Sequence, residues 1–125
     1  MVKRPGIGHN WYDPSEHKIQ SKLVDILPGL MKPGVVRLAI PNGGLRHPIV
    51  GKLLKEEGLM PGSPDLVFAM HHGMTAWLEM KKRKGTQSDV QLGMQAKLER
   101  IGHQYGLAHN IDEALEFLDK MGILR

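Results

Sequence analysis

Apolar positions along the chain fall into four stretches with helical spacing, interleaved with four short stretches of strand character. The first helix has a clear start. Asp13 suits the N-cap, Pro14 the first helical position and Glu16 the third position of a capping box. Ile19, Leu23, Ile26, Leu27 and Leu30 then form one apolar stripe. Pro28-Gly29 weakens its last turn and Pro33-Gly34 ends it. Val35 to Ile40 is β-branched and apolar, which predicts a buried strand. Pro48 opens a second helix carrying Ile49, Val50, Leu53 and Leu54, with Gly58 as its C-terminal cap.

Asp65 to Met70 and Thr75 to Lys81 predict two strands joined by a hairpin at His71-His72-Gly73-Met74. Ser88-Asp-Val-Gln91 is a second capping box and opens a helix whose stripe is Met94, Leu98 and Ile101. Gly102 closes it. Gln104 to Ala108 predicts a short strand, and Asn110-Ile-Asp-Glu113 starts a last helix bearing Ile111, Ala114, Leu115, Leu118 and Met121. The order is α-β-α-β-β-α-β-α, the pattern of an α/β protein with a mixed central β-sheet flanked by helices. Residues 1–12 lack periodicity and predict an N-terminal arm, ordered only if a partner holds it. Residues 13–125 predict one domain, with no internal repeat and no linker.

Composition narrows the function classes. The 125 residues are 41% hydrophobic, enough for a core. There is no Cys, which excludes disulfides and thiolate metal sites and permits a reducing cytoplasm. No apolar stretch approaches the ~18 residues of a membrane span, and Met1 to His9 is too polar for a signal peptide. The net charge of +4 favours a polyanionic partner. An aromatic content of 5% argues against a stacking platform for single strands. Phosphate-loop and dinucleotide glycine patterns are missing, so no nucleotide cofactor is expected. The histidines are scattered without zinc-ligand spacing.

The candidate chemistry lies at residues 60–81. Residues two apart on a strand share a face, so Glu79 and Lys81 project together. Asp65 reaches the same point if its strand pairs with theirs. Two carboxylates and an ammonium around one point suit a hard divalent cation and a phosphodiester. Glu-x-Lys also occurs as Glu16-His-Lys18, but on a helix residues two apart diverge. By spacing alone, two ordinary charges on an edge strand fit the second copy equally well.

The ordered set Glu16, Pro41-Asn-Gly-Gly44 with Arg46, Pro61-Gly-Ser-Pro-Asp65, Trp77-Leu-Glu79-Met-Lys81, Gly85 and Ser88-x-x-Gln91 resembles the VRR-Nuc family. That family is the virus-type replication and repair branch of the PD-(D/E)xK nucleases. The resemblance runs from about Asp13 to Leu118. Departures are small: Met94 stands at the usual large apolar position, and the third helix carries Gly93. The resemblance implies a restriction-endonuclease-like core and a Mg²⁺-dependent DNA endonuclease, with Mn²⁺ as a substitute. It further implies a homodimer that resolves branched DNA such as four-way junctions, leaving 5′-phosphate and 3′-hydroxyl ends. A phage- or bacterium-encoded cytoplasmic protein fits. A less selective flap or restriction-like nuclease, and a DNA-binding module with a vestigial site, are the alternatives.

Carried over residue by residue, the resemblance makes Asp65, Glu79 and the backbone carbonyl of Met80 metal ligands. Lys81 would orient the attacking water or offset charge on the phosphate. Glu16 would reach the metal through water, although it suits helix capping as well. Gln91 would lie beside Lys81, although it too completes a capping box. Asn42, Gly43, Gly44, Arg46, Lys82, Arg83, Lys84 and Ser88 would hold the nucleic-acid backbone, Arg46 by its bidentate fork. For the glycines a tight turn is explanation enough, and for the three consecutive cations a solvated face is.

Overall fold

A computed structural model describes residues 14–41 and 48–125. Its strands β1 (Val36–Ala39), β2 (Leu66–Ala69), β3 (Thr75–Met80) and β4 (Gln104–Ala108) lie side by side in chain order in one sheet. The helices are α1 (Pro14–Ile26), α2 (Pro48–Glu56), α3 (Asp89–Arg100) and α4 (Ile111–Lys120). β1 pairs with β2, and β2 with β3, antiparallel; β3 pairs with β4 parallel. The last pairing needs a crossover, because parallel neighbours cannot be joined by a tight turn, and α3 supplies it. The element order matches the expected α-β-α-β-β-α-β-α, with a mixed α/β sheet.

Local chemistry sets the boundaries. α1 begins at Pro14 as expected; its proposed cap Asp13 lies outside the described residues, as does the arm 1–12. A single 3-10 turn, Leu27–Gly29, follows α1 where Pro28 has no N–H to continue the ladder. α2 closes in a Schellman motif: Leu59 N–H donates to Leu54 at 2.9 Å and Gly58 N–H to Lys55 at 3.1 Å. β2 and β3 are each shorter than expected, but ladder-like bonds continue past them. Ile40 N–H reaches Asp65 O at 2.9 Å, and Lys81 N–H reaches Ala108 O at 2.8 Å.

The core lies on one face of the sheet. Leu66, Phe68, Ala76, Leu78, Met80 and Ala108 are fully buried there against Leu23 and Leu27, with Ala114, Leu118 and Ile123 completing the cluster. Each buried large apolar side chain contributes roughly 1.5–3 kcal/mol. Gly106 of β4 is required by close approach: a Cβ there would sit 2.5 Å from the Phe117 ring of α4. The C-terminus is tied back by Lys32 N–H to Ile123 O and Arg125 N–H to Leu30 O, both 2.8 Å.

The opposite face is covered unevenly. α3 packs against β4. β1 was expected to be buried, yet Val36 and Leu38 are 51% and 52% exposed. The reason is position: β1 is the edge strand farthest from β4. The α3 stripe is also shallower than expected. Met94 and Leu98 are half-buried, and Ile101, the residue that ends α3 as its C-cap, is 72% exposed.

Candidate active site

The pairing of β2 with β3 brings the two carboxylates together. Leu66 faces Leu78 across the ladder, so the next positions outward, 65 and 79, are opposite each other. Leu66 and Phe68, like Leu78 and Met80, point into the core. Alternation therefore turns Asp65 and Glu79 to the α3 side. Asp65 Oδ2 accepts the Met80 N–H at 2.7 Å, which fixes that carboxyl across the two strands. Glu79 is 2% exposed, the one buried charged residue among the described residues.

The turn that delivers Asp65 is stiff. Pro64 is buried and Ser63 Oγ donates to Met60 O at 2.7 Å. Gly62 has φ +84°, and a Cβ on it would meet the Val90 backbone at 2.7 Å. Only glycine lets this turn lie against the first turn of α3. The same contact sets the distance between Asp65 and the residues that α3 contributes.

Burial acts first on both carboxyls. Glu79 is pushed up to about 9, by desolvation and then by the neighbouring Asp65 charge, with Glu16 adding to the rise and Lys81 opposing it. Asp65 is also raised by burial, with Glu79, the Met80 N–H and Lys81 each pulling it down. The two carboxyls act on each other, Asp65 raising Glu79 and Glu79 lowering Asp65, so they titrate as a pair. Lys81 is half-buried and acts on both acids, as their shared face requires.

Gln91 holds two positions at once. Its Oε1 accepts the Ser88 N–H at 2.9 Å while its backbone N–H donates to Ser88 Oγ at 3.2 Å, a complete capping box. Its Nε2 then donates to Glu79 Oε2 at 3.2 Å. The cap therefore sets the orientation of the amide that meets the acid. The sequence offered capping and a place beside Lys81 as alternatives; the side chain caps α3 and its amide also meets Glu79.

Tyr105 was not anticipated. Its hydroxyl donates to Glu79 Oε1 at 3.4 Å and accepts Gln87 Nε2 at 3.1 Å. Gln87 Nε2 also reaches Gln95 Oε1 at 3.1 Å. Burial and the Glu79 charge push the phenol upward, so it stays a donor. The parallel register places Tyr105 beside Trp77, on the Glu79 face. Its alternation within β4 was the available signal, but the register was not.

Glu16 is half-buried in the first turn of α1, near enough to raise Glu79. Among the described residues, no three acidic or imidazole side chains converge on one point. Direct protein ligation would thus rest on Asp65, Glu79 and a backbone oxygen such as that of Met80. That set suits Mg²⁺, which takes oxygen ligands at about 2.0–2.1 Å and keeps several waters. The fit has a structural sign: Glu79 is buried opposite a second carboxyl, and acids disfavoured as anions first by burial and then by each other are the environment that a divalent cation relieves.

Lys82, Arg83 and Lys84 are exposed in a turn directly after β3, closed by Gly85 N–H to Lys82 O at 2.8 Å. Ser88 is the exposed N-cap of α3. Asn42, Gly43, Gly44 and Arg46 lie outside the described residues. No helix among the described residues is long and apolar enough to cross a membrane.

Solved structures similar to this chain include two with related titles. One, titled "VRR_NUC domain", superposes with a TM-score of 0.58 at 15% identity, covering 86% of this chain and 97% of its own. Another, titled "VRR_NUC domain protein", gives 0.64 at 18% identity, covering 87% and 88%. No protein-family model and no curated protein sequence matches the chain. The likeness covers 86% to 87% of the chain. The chain therefore has the restriction-endonuclease-like fold of the VRR-Nuc domain.

Proposed function

We propose that the chain is a VRR-Nuc nuclease, a divalent-metal-dependent enzyme that hydrolyses phosphodiester bonds in DNA. The observation that carries this reading is the buried Glu79 carboxyl set opposite Asp65 with Lys81 on the same face. A structural role accounts poorly for it, since burying one acid against another costs stability. The shared fold with structures titled VRR_NUC supports the nuclease class.

In this reading Asp65, Glu79 and the Met80 carbonyl hold Mg²⁺, or Mn²⁺ in its place. The cation, when bound, polarises the phosphoryl group and acidifies a water. Lys81 orients the attacking water and neutralises charge that develops on the phosphate. Gln91 and Tyr105 hold the two Glu79 oxygens in place, and outer partners of this kind tune metal affinity. Glu16 acts through water. The water oxygen bonds to phosphorus as the 3′-oxygen leaves, giving 5′-phosphate and 3′-hydroxyl ends. Lys82, Arg83, Lys84 and Ser88, with Asn42, Gly43, Gly44 and Arg46, hold the backbone.

Branched DNA, four-way junctions included, is the substrate we favour, cut by a homodimer whose two-fold axis relates two sites to two strands. A phage- or bacterium-encoded protein of the cytoplasm is the setting we favour, and the lack of Cys permits a reducing compartment. The test uses labelled linear, flap and four-way DNA with Mg²⁺ or Mn²⁺, and wild type beside Glu79→Ala. Junction-only cutting that the variant loses supports the full proposal. Cutting of all three by wild type supports a less selective nuclease. Binding without cutting under either metal leaves a vestigial site.

A further inference from the structure

A concavity of about 600 Å³ lies between α1, the turn after β3 and the start of α4. Residues 15, 18, 19 and 22 share one face of α1, because helical neighbours recur at three and four. That face puts Lys18 and Lys22 on one wall. Lys82 and Arg83 form the facing wall, and Asn110 and Asp112 come from the α4 N-terminus. Four cations meet one carboxylate, Asp112, and all four are exposed. Among the described residues Lys18, Lys22 and Arg83 enter no ion pair.

The turn after β3 and the start of α4 are fixed to each other. His109 Nε2 bonds to Gly85 O at 2.8 Å, and its Nδ1 bonds to Glu113 Oε1 at 3.0 Å. Asn110 Oδ1 caps α4 by accepting the Glu113 N–H at 2.8 Å. The turn that carries Lys82 and Arg83 is thus tethered to the helix end. Such convergence of like charges is repulsive unless an anion bridges it. The helix end adds its own partial positive charge.

We propose that this cleft binds the sugar-phosphate backbone of the nucleic acid, on the strand that continues past the candidate active site. The inference rests on the nuclease reading above. Three features choose a polymer backbone over a small anion. The volume exceeds that of one phosphate, the charges stand on two walls, and the cleft begins one residue beyond Lys81. None of the described lining residues is aromatic, so nothing stacks on a base and binding is independent of sequence. The proposal gives Lys18 and Lys22 of α1 a role in substrate binding.

The test compares wild type, Lys18→Gln/Lys22→Gln and a charge-matched control, Lys97→Gln/Lys120→Gln, at the far ends of α3 and α4. Affinity for labelled duplex and four-way DNA is read by fluorescence anisotropy, with Ca²⁺ replacing Mg²⁺ to suppress turnover, across a salt series. Each lost phosphate contact lowers the log–log salt slope by about 0.9, so the cleft variant should lose about 1–2 units of slope and roughly 10- to 100-fold in affinity near 0.1 M salt. The control should stay near wild type. Equal weakening of both variants, or no weakening of the cleft variant, overturns the inference and leaves the nuclease reading intact. A wild type that binds no DNA overturns both.

Discussion

Gln91 donates Nε2 to Glu79 Oε2 at 3.2 Å while its Oε1 caps the helix it starts. Helix initiation and orientation of the buried acid thus depend on one amide. The two duties separate by substitution. Gln91→Ala removes both and should cost about 1 kcal/mol in urea unfolding, the usual value of a cap interaction. Gln91→Glu keeps the capping box, since glutamate serves equally at this position. It should recover most of that stability in the metal-free protein. It also sets a third carboxyl against Glu79, so cleavage at neutral pH should remain impaired in both variants.

Glu79 gives the metal-free protein an unusual pH dependence. Its folded pKa is raised to about 9 from an ordinary 4.5. The folded state therefore holds a proton that the unfolded chain releases. Stability from this group is complete below about pH 4.5 and is lost as pH rises through about 9, at up to ~1.4 kcal/mol per pH unit. Asp65, also raised, acts in the same direction. Urea midpoints in EDTA should fall from pH 5 to pH 9, and Glu79→Gln should flatten most of that decline. A profile rising with pH over this window would contradict the assignment.

The same proton would oppose the metal binding proposed above. Calorimetry at pH 7 in buffers of different ionisation heat should show proton release on Mg²⁺ binding, with affinity that increases toward pH 9. Glu79→Gln should abolish the release. Added Mg²⁺ should raise the wild-type midpoint most at alkaline pH, where the competing proton is gone.

Tyr105→Phe keeps the ring and removes the hydroxyl that meets Glu79 and Gln87. Loss of these bonds should cost about 0.5–1.5 kcal/mol. Cleavage should fall by up to ~10-fold, the low end for outer partners of a metal ligand. The discriminating readout is the Mg²⁺ dependence of the rate, which should shift to higher concentration.

Gly106→Ala tests the packing beneath the site. The new methyl would lie 2.5 Å from the Phe117 ring, so α4 must shift away from β4. Overpacking of this kind costs roughly 1–3 kcal/mol, readable as a lower urea midpoint. Because β4 also carries Tyr105, activity should decline alongside stability.

Much of this protein follows from local rules that act within a few residues. Capping at Ser88 and Asn110, the proline start of α1, the Gly58 helix end and the period-2 alternation around Glu79 and Lys81 each need only neighbours along the chain. They determined the element order and that Glu79 and Lys81 share one face, whereas the pairing of β2 with β3 added Asp65 to it. Long-range packing decided the rest. Strand position left Val36 and Leu38 half exposed at an edge, although their composition predicts burial. Parallel register brought Tyr105 to Glu79 from 26 residues away. The approach of α1 to the turn after β3 made one cleft from Lys18, Lys22, Lys82 and Arg83. The physical division is plain: hydrogen-bond satisfaction at helix ends and side-chain alternation are written in short windows, whereas burial, register and the meeting of charges depend on how separate elements dock, which no single window contains.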